Sequence, residues 1–187
     1  VESFKSFLKE HISVTQEDWD YIKERLHRES CKKDSILTNQ GQLEDRVYFL
    51  LSGITRLYYE AEVKDTTLNI GFPNNFVSAY SSFLSRKPSE FILHTLTDCE
   101  YIYFSHSDLE DLYANTSCGQ ELGRIFAEEL FLYLSKREND FLLKSPTQRY
   151  LDLFEEQPRL IQEVPQKYLA SYIGITPQAL SRIRAKL

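Results

Sequence analysis

The residues best suited to chemistry stand at the end of the chain, in positions 166–187, QKYLASYIGITPQALSRIRAKL. This stretch holds Lys167, Arg182, Arg184 and Lys186 and no acidic residue, in a chain of 187 residues whose net charge is −6. One basic end on an acidic body is the asymmetry expected when a single module meets phosphates. A chain end that is basic by chance would look the same by charge alone, so the spacing has to carry the distinction.

Two short helices that cross closely need particular residues at particular offsets. A small residue is needed where the second helix crosses the first, and Ala170 stands there. The turn needs a residue that tolerates positive φ, and Gly174 follows four positions later. Leu180, six residues beyond, supplies the buried apolar contact, with Leu169, Ile173, Ile175 and Ile183 completing a small core. Thr176 can cap the second helix, and Pro177 suits its first position. This spacing fits a helix-turn-helix, the alternative being a plain helical hairpin. In a major groove Gln178, Ser181 and Arg182 would face outward, Arg182 toward guanine and Gln178 toward adenine. Thr176, Lys167, Arg184 and Lys186 are better phosphate partners, although Arg184 could equally be a solvated helix-end charge.

The other reactive side chains show no such order. His11, His27, His94 and His106 lack the spacing of metal ligands, as do Cys31, Cys99 and Cys118. Ordinary reduced thiols are the expected state of the cysteines. No Gly-rich phosphate loop, nucleophile elbow or Cys/His pair is evident, so neither metal nor cofactor nor enzymatic activity is expected. A metal enzyme of the cupin kind, which also uses a β-roll, stands as an alternative without its ligands. The N-terminal VESFKSFLKEHISVTQEDWDYI is charged throughout and unlike a signal or transit peptide, and no window has the length of apolar residues of a membrane span. The expectation is a cytoplasmic protein without membrane contact.

Three groups of elements must position the basic end. Residues 4–29 read as helices from the spacing of Phe4, Phe7, Leu8, Trp19, Ile22 and Leu26. From 34 to 105 short runs (SILT, RVYFLL, ITRLYYE, TLNIGF, FILHTL, EYIYFS) alternate with turn residues and predict a sandwich, roll or barrel. Ser52-Gly53 predicts a tight hairpin, and Ala61 to Lys64 an exposed loop. Ser107 is placed to cap a helix containing Leu109 and Leu112. A long helix follows over about 118–143, with Leu122, Ile125, Phe126, Leu130, Tyr133 and Leu134 as an apolar stripe. Part of that stripe could face a second subunit; packing wholly within one chain is the alternative. Ser145-Pro146 starts a further helix that ends before Pro158. The domains expected are 1–116, a long dimerisation helix over 117–144, and a DNA-binding domain over 145–187.

On these residues the chain resembles the bacterial Crp/Fnr transcription regulators over nearly its whole length. DRVYFLLSGITRLYYE resembles the strand-turn-strand of their cyclic-nucleotide-binding β-roll, and GITPQALSRIRAKL their recognition helix, including the arginine at Arg182. The resemblance implies an α+β fold: an antiparallel β-roll (double-stranded β-helix), a long dimerisation helix and a C-terminal helix-turn-helix. It implies a homodimer that binds double-stranded DNA, an effector of unknown identity, and RNA polymerase among the partners it allows. Cyclic-nucleotide binders of the family hold ribose with a glutamate after a glycine and phosphate with an arginine before a serine. Here the corresponding residues are Phe76, Ser78 and Ala79, then Ser89, Glu90 and Phe91, which mark the place of any effector pocket. Neither pair is present and Glu90 would repel phosphate, so cyclic AMP is not expected to bind. Tyr58, Phe72, Phe76, Tyr80, Phe83, Phe91, Tyr101 and Tyr103 would fill the roll, as core rather than as cavity lining. The family's β-wing after the recognition helix finds no room before Leu187. A β-roll module that senses a nucleotide or small molecule and regulates a partner protein is the remaining alternative.

Overall fold

The computed structural model describes residues 1–62 and 65–186; of the loop read at Ala61–Lys64, Val63 and Lys64 lie outside these, and Ala61 and Glu62 are exposed. Two helices open the chain. The first, α1 (Glu2–His11), buries Phe4 and Leu8. The second, α2 (Gln16–Glu24), begins at a capping box in which Thr15 and Asp18 exchange hydrogen bonds. The helical spacing read through residue 29 does not continue. The helix is capped at Arg25, and His27–Cys31 forms strand β1, paired residue for residue with a strand seventy positions away. Pairing to that edge outweighs a short helical pattern that local spacing alone suggested.

Seven more strands follow: β2 (Ile36–Thr38), β3 (Arg46–Ser52), β4 (Thr55–Tyr59), β5 (Thr66–Gly71), β6 (Phe76–Val77), β7 (Ile92–Thr95) and β8 (Cys99–Ser105), with helix α3 (Tyr80–Ser85) between β6 and β7. They form two antiparallel sheets, ordered β1-β8-β3-β6 and β2-β7-β4-β5. The hairpin predicted at Ser52-Gly53 is therefore absent: β3 and β4 lie in different sheets, and the turn hands the chain from one to the other. Gly53 has φ 90°, and a Cβ there would lie 2.4 Å from the Asp98 carbonyl oxygen. The turn residues were legible, but the partner of each strand was not.

Side-chain alternation sorts the strands into layers. Tyr48, Leu50, Leu93, Tyr101 and Tyr103 pack between the sheets. Val47, Phe49, Ile102 and Phe104 face the opposite way, onto α1 and two later helices, α4 (His106–Asn115) and α5 (Gly119–Leu143). Phe76, Tyr80 and Phe83, expected inside the roll, belong to this outer cluster, where Phe76 meets Phe4, Phe7, Phe49 and Phe126. The remaining face, that of β4, β5 and β7, buries Ile54, Ile70 and the adjacent Leu96 under the C-terminal helices. The inner strands are thus covered on both faces, which is why β3 and β8 read as nearly continuous apolar runs. Cys31 and Cys99, distant in sequence, are register partners across β1 and β8; both thiols are free, and burial pushes Cys99 up to about 11.

The helix expected from Ser107 is capped instead by Ser105, whose hydroxyl accepts from Asp108 N–H while Asp108 reaches back to the Ser105 N–H. Ser105 and Asp108 form the reciprocal capping box that opens α4 two residues earlier than expected. The 25-residue α5 uses Leu122, Ile125 and Phe126 against the roll and leaves Phe131, Leu132 and Leu134 exposed. After it come α6 (Pro146–Glu156), capped by Ser145, then α7 (Pro158–Glu163), α8 (Gln166–Ile173) and α9 (Pro177–Arg184). No helix among the described residues is long and apolar enough to cross a membrane.

Candidate nucleic-acid interface and its dock on the roll

Helices α8 and α9 are joined by Gly174, Ile175 and Thr176. Gly174 ends α8 with φ 83°, its N–H bonded to the Ala170 and Ser171 carbonyls. A Cβ on it would lie 2.5 Å from the Phe141 ring of α5, so both the turn and the close approach require glycine. Thr176 caps α9 by accepting from the Ala179 N–H, and Pro177 follows. Ala170 and Leu180 are fully buried between the helices. The positions expected from spacing are the positions observed.

The predicted contact residues divide accordingly. Gln178, Arg182 and Arg184 are exposed along α9, Lys186 is exposed just past its end, and Thr176 and Lys167 are exposed nearby. Lys167 lies 4.6 Å over the Tyr168 ring, leaving its ammonium beside solvent. Ser181 is exposed, but its Oγ accepts from Gln166 Nε2 at 2.7 Å, which ties α9 to the first turn of α8. Thus α9 offers an acid-free outer face with hydrogen-bond donors suited to phosphate oxygens and base edges.

How the pair is held was not read from the residue spacing. The edge strand β5 has one side of its backbone unpaired within the sheet. The Thr67 N–H donates to Ser171 Oγ at 2.9 Å, and the Ser171 hydroxyl donates to the Asp65 carbonyl at 2.8 Å. Arg137 on α5 donates to the Thr67 carbonyl and to the Tyr172 carbonyl at the end of α8, each at 3.0 Å. Arg149 satisfies the next carbonyl, Ile173, at 3.1 Å. Two cations at a helix C-terminus are favourable for the helix dipole as well. Arg56, 2% exposed, lies between the Tyr58 and Tyr168 rings at 4.0 and 4.2 Å and donates to Thr67 Oγ1 and Asp65. An arginine inside an apolar strand was the one sequence signal that could have pointed here, because a buried cation requires partners. At the C-terminal end of α5, Lys144 bridges Asp140 and Asp152 at 2.7 Å each and pins the bend into α6.

The residues expected to mark an effector pocket are engaged locally. Ser78 donates to the Arg46 carbonyl, and Ser89 Oγ both donates to the Phe91 carbonyl and accepts from the Phe91 N–H. Glu90 is exposed, Phe91 half-buried, and Phe76 points away from the space between the sheets, toward α1 and α5. Ala79 is fully buried, and its N–H donates to Oε2 of Glu44 at 3.3 Å. Glu44, itself 2% exposed, also accepts from Arg46 N–H at 3.0 Å and from the Thr38 hydroxyl. Burial pushes its pKa up against these donors. An internal carboxylate thus receives backbone N–H groups beside Ala79 within the roll. Nothing in the sequence set Glu44 apart from its neighbour Asp45. Among the described residues no three His, Cys, Asp or Glu side chains are grouped to hold a metal.

Residues 28–116 match the model of the cyclic nucleotide-binding domain. The roll therefore has a cyclic nucleotide-binding-type fold, and solved structures similar to nearly the whole chain include Crp/Fnr transcription regulators. Three illustrate the extent. The c-di-GMP-responsive global regulator CLP of Xanthomonas campestris is 20% identical with a TM-score of 0.69, covering 92% of this chain and 91% of that one. FixK2 of Bradyrhizobium japonicum is 14% identical with a TM-score of 0.74, covering 87% and 84%. A protein of Eubacterium rectale described as a transcriptional regulator of the Crp/Fnr family is 15% identical with a TM-score of 0.70, covering 92% and 83%. At such identities the likeness establishes the fold. No curated protein matches the chain by sequence.

His94 reports on the dock. It is buried on β7 beside Arg56, Tyr58 and Tyr168, with Asp34 and Asp65 nearby, and its Nδ1 has no hydrogen-bond partner. Burial, then Arg56, lowers its pKa from the ordinary 6.5. Its contribution to stability is therefore complete above 6.5 and is lost as pH falls through the lower folded-state value. Thermal unfolding is expected at lower temperature as pH drops below 6.5, with a flatter profile in His94→Gln; an equal slope in both proteins would refute the assignment.

Proposed function

We propose that this chain is a dimeric, sequence-specific DNA-binding transcription regulator whose roll does not respond to cyclic AMP. The observation that carries the reading is the exposed, acid-free face of α9, on a helical pair whose turn and cap have the required residues. The fold shared with Crp/Fnr regulators supports it. In this reading Arg182 and Gln178 read base edges, Thr176, Lys167, Arg184 and Lys186 hold phosphates, and Ser181 contributes through its hydroxyl. The domains are a roll with its N-terminal helices over 1–116, a dimerisation helix over 117–144 and a DNA-binding domain over 145–187.

The exposed side of α5 supports the dimer. Phe131, Leu132 and Leu134 are exposed by 68%, 66% and 51%, and Leu142 by 74%. Monomeric proteins rarely leave such a row uncovered, and Ala127, Phe131 and Leu134 have the four-then-three spacing of a helix seam. The predicted stripe thus divides: Leu122, Ile125 and Phe126 serve the chain's own roll, and Leu134 with Phe131 would serve the partner. A two-fold pair would present two α9 helices to half-sites about 34–36 Å apart.

Cyclic AMP is disfavoured because residues 75–79 and 88–91 hold neither the Gly-Glu nor the Arg-Ser pair, and Glu44 already accepts the Ala79 N–H. The effector pocket expected around Phe76, Ser78, Ala79, Ser89, Glu90 and Phe91 would at most be a poor fit for a phosphate.

Binding measured by fluorescence anisotropy to DNA from the chain's own upstream region should exceed binding to an unrelated duplex and weaken with salt. Arg182→Ala should cost about 1–3 kcal/mol on the preferred duplex, and Lys167→Ala should lower the salt slope by about 1 without changing preference. Equal affinity for both duplexes at every salt concentration would exclude sequence-specific binding. In light scattering the wild type should be a dimer and Phe131→Glu/Leu134→Glu a monomer; a wild-type monomer at tens of micromolar would exclude the α5 seam. Calorimetric titration with cyclic AMP should give no heat of binding, and micromolar affinity would overturn the assignment of Glu44 and Ala79.

A further inference from the structure

A cleft of about 340 Å³ lies where α1, the β5–β6 turn, α5 and the C-terminal helices meet. That volume is at the lower end of the roughly 300–1,000 Å³ of small-molecule sites. Phe7, Phe72, Phe76 and Phe126 give it aromatic walls. Its inner side is a hydrogen-bonded chain, with Tyr133 Oη donating to Asn69 Oδ1 at 3.0 Å and lying 3.1 Å from Tyr172 Oη. Asn74, Asn75, Glu129 and Gln157 complete the polar groups, and no lysine or arginine lines it.

We propose that this cleft binds a small planar aromatic molecule without negative charge. Four phenylalanine rings favour stacking or edge contacts with another flat ring, and their faces favour a cation over an anion. Amides and phenol hydroxyls can match donors and acceptors on the rim of a heterocycle. A phosphate or carboxylate would be desolvated beside the Glu129 carboxylate; no cation is in the lining, and Arg159, 4.6 Å over the Phe72 ring, is already paired with Glu163. Glu129 has one cationic neighbour outside the lining, His11 at 3.3 Å, and that pair is intramolecular.

The location gives the site its consequence. The same ligand would touch the roll at Asn69, the long helix at Tyr133 and the DNA-binding helices at Tyr172 and Gln157, across the dock that positions α9. Occupancy would hold those three parts in the arrangement seen. The inference deepens the regulator reading, but its test uses no DNA, so either can fail alone.

The full chain, labelled with nitrogen-15, is titrated with tryptamine and adenine and with their anionic counterparts, indole-3-acetate and adenosine monophosphate. Tryptamine and adenine should saturably shift the side-chain amide resonances of Asn69 and Gln157 at millimolar concentration, and the anions should bind about tenfold more weakly. Glu129→Gln should weaken tryptamine several-fold and leave adenine unchanged. Leu130→Trp, filling the cleft from α5, should abolish both; Gln157→Trp, at an exposed position, blocks it from the other side should the first variant fold poorly. Silence from both tryptamine and adenine, equal binding of the anions, or unchanged binding in the blocking variants would overturn the proposal.

Discussion

An edge strand leaves half of its backbone donors and acceptors without a partner in the sheet, and in this protein that edge is β5. Its Thr67 N–H and carbonyl are taken by Ser171 of α8 and Arg137 of α5. The rest of the arrangement depends on this. Because α8 fills the edge, Leu169, Tyr172 and Ile173 share one buried cluster with Ile54, Ile70 and Leu96 of the roll. The C-terminal helices are thus not a bead on a loose tether. Arg137 also serves the Tyr172 carbonyl, so one guanidinium joins the end of α8 to the sheet. With α8 seated on its buried side, α9 has only its basic side to show to solvent.

The buried charges follow the same logic. Taking a guanidinium or a carboxylate out of water costs several kcal/mol unless each polar atom finds a partner. Arg56 meets two aromatic faces, a hydroxyl and a carboxylate at the dock, and Glu44 meets two backbone N–H groups and a hydroxyl inside the roll. Each is satisfied in one arrangement and would be stranded in another, so each selects a register as well as adding stability.

What the residues themselves determined was local. Caps at Thr15, Ser145 and Thr176, the positive φ of Gly174, the small Ala170 and the strand-rich middle depend on neighbours within a few positions, and all were legible in the order of residue types. So was the basic face of α9, since charge and helical spacing together settle which side is polar. The errors have a common cause. The strand at His27–Cys31, the crossing at Gly53 and the capping by Ser105 were each decided by a partner or a competitor that local spacing does not rank.

The dock was decided by tertiary structure alone. Ser171 and Thr67, Arg137 and Thr67, Arg56 and Tyr168 are brought together from positions far apart in the chain, and no periodicity encodes that meeting. Sequence supplied a small serine, two arginines and an aromatic, each unremarkable where it stands. Only the unpaired edge of a folded sheet gives them a common task, because the unmet hydrogen bonds that attract them do not exist until the sheet has formed.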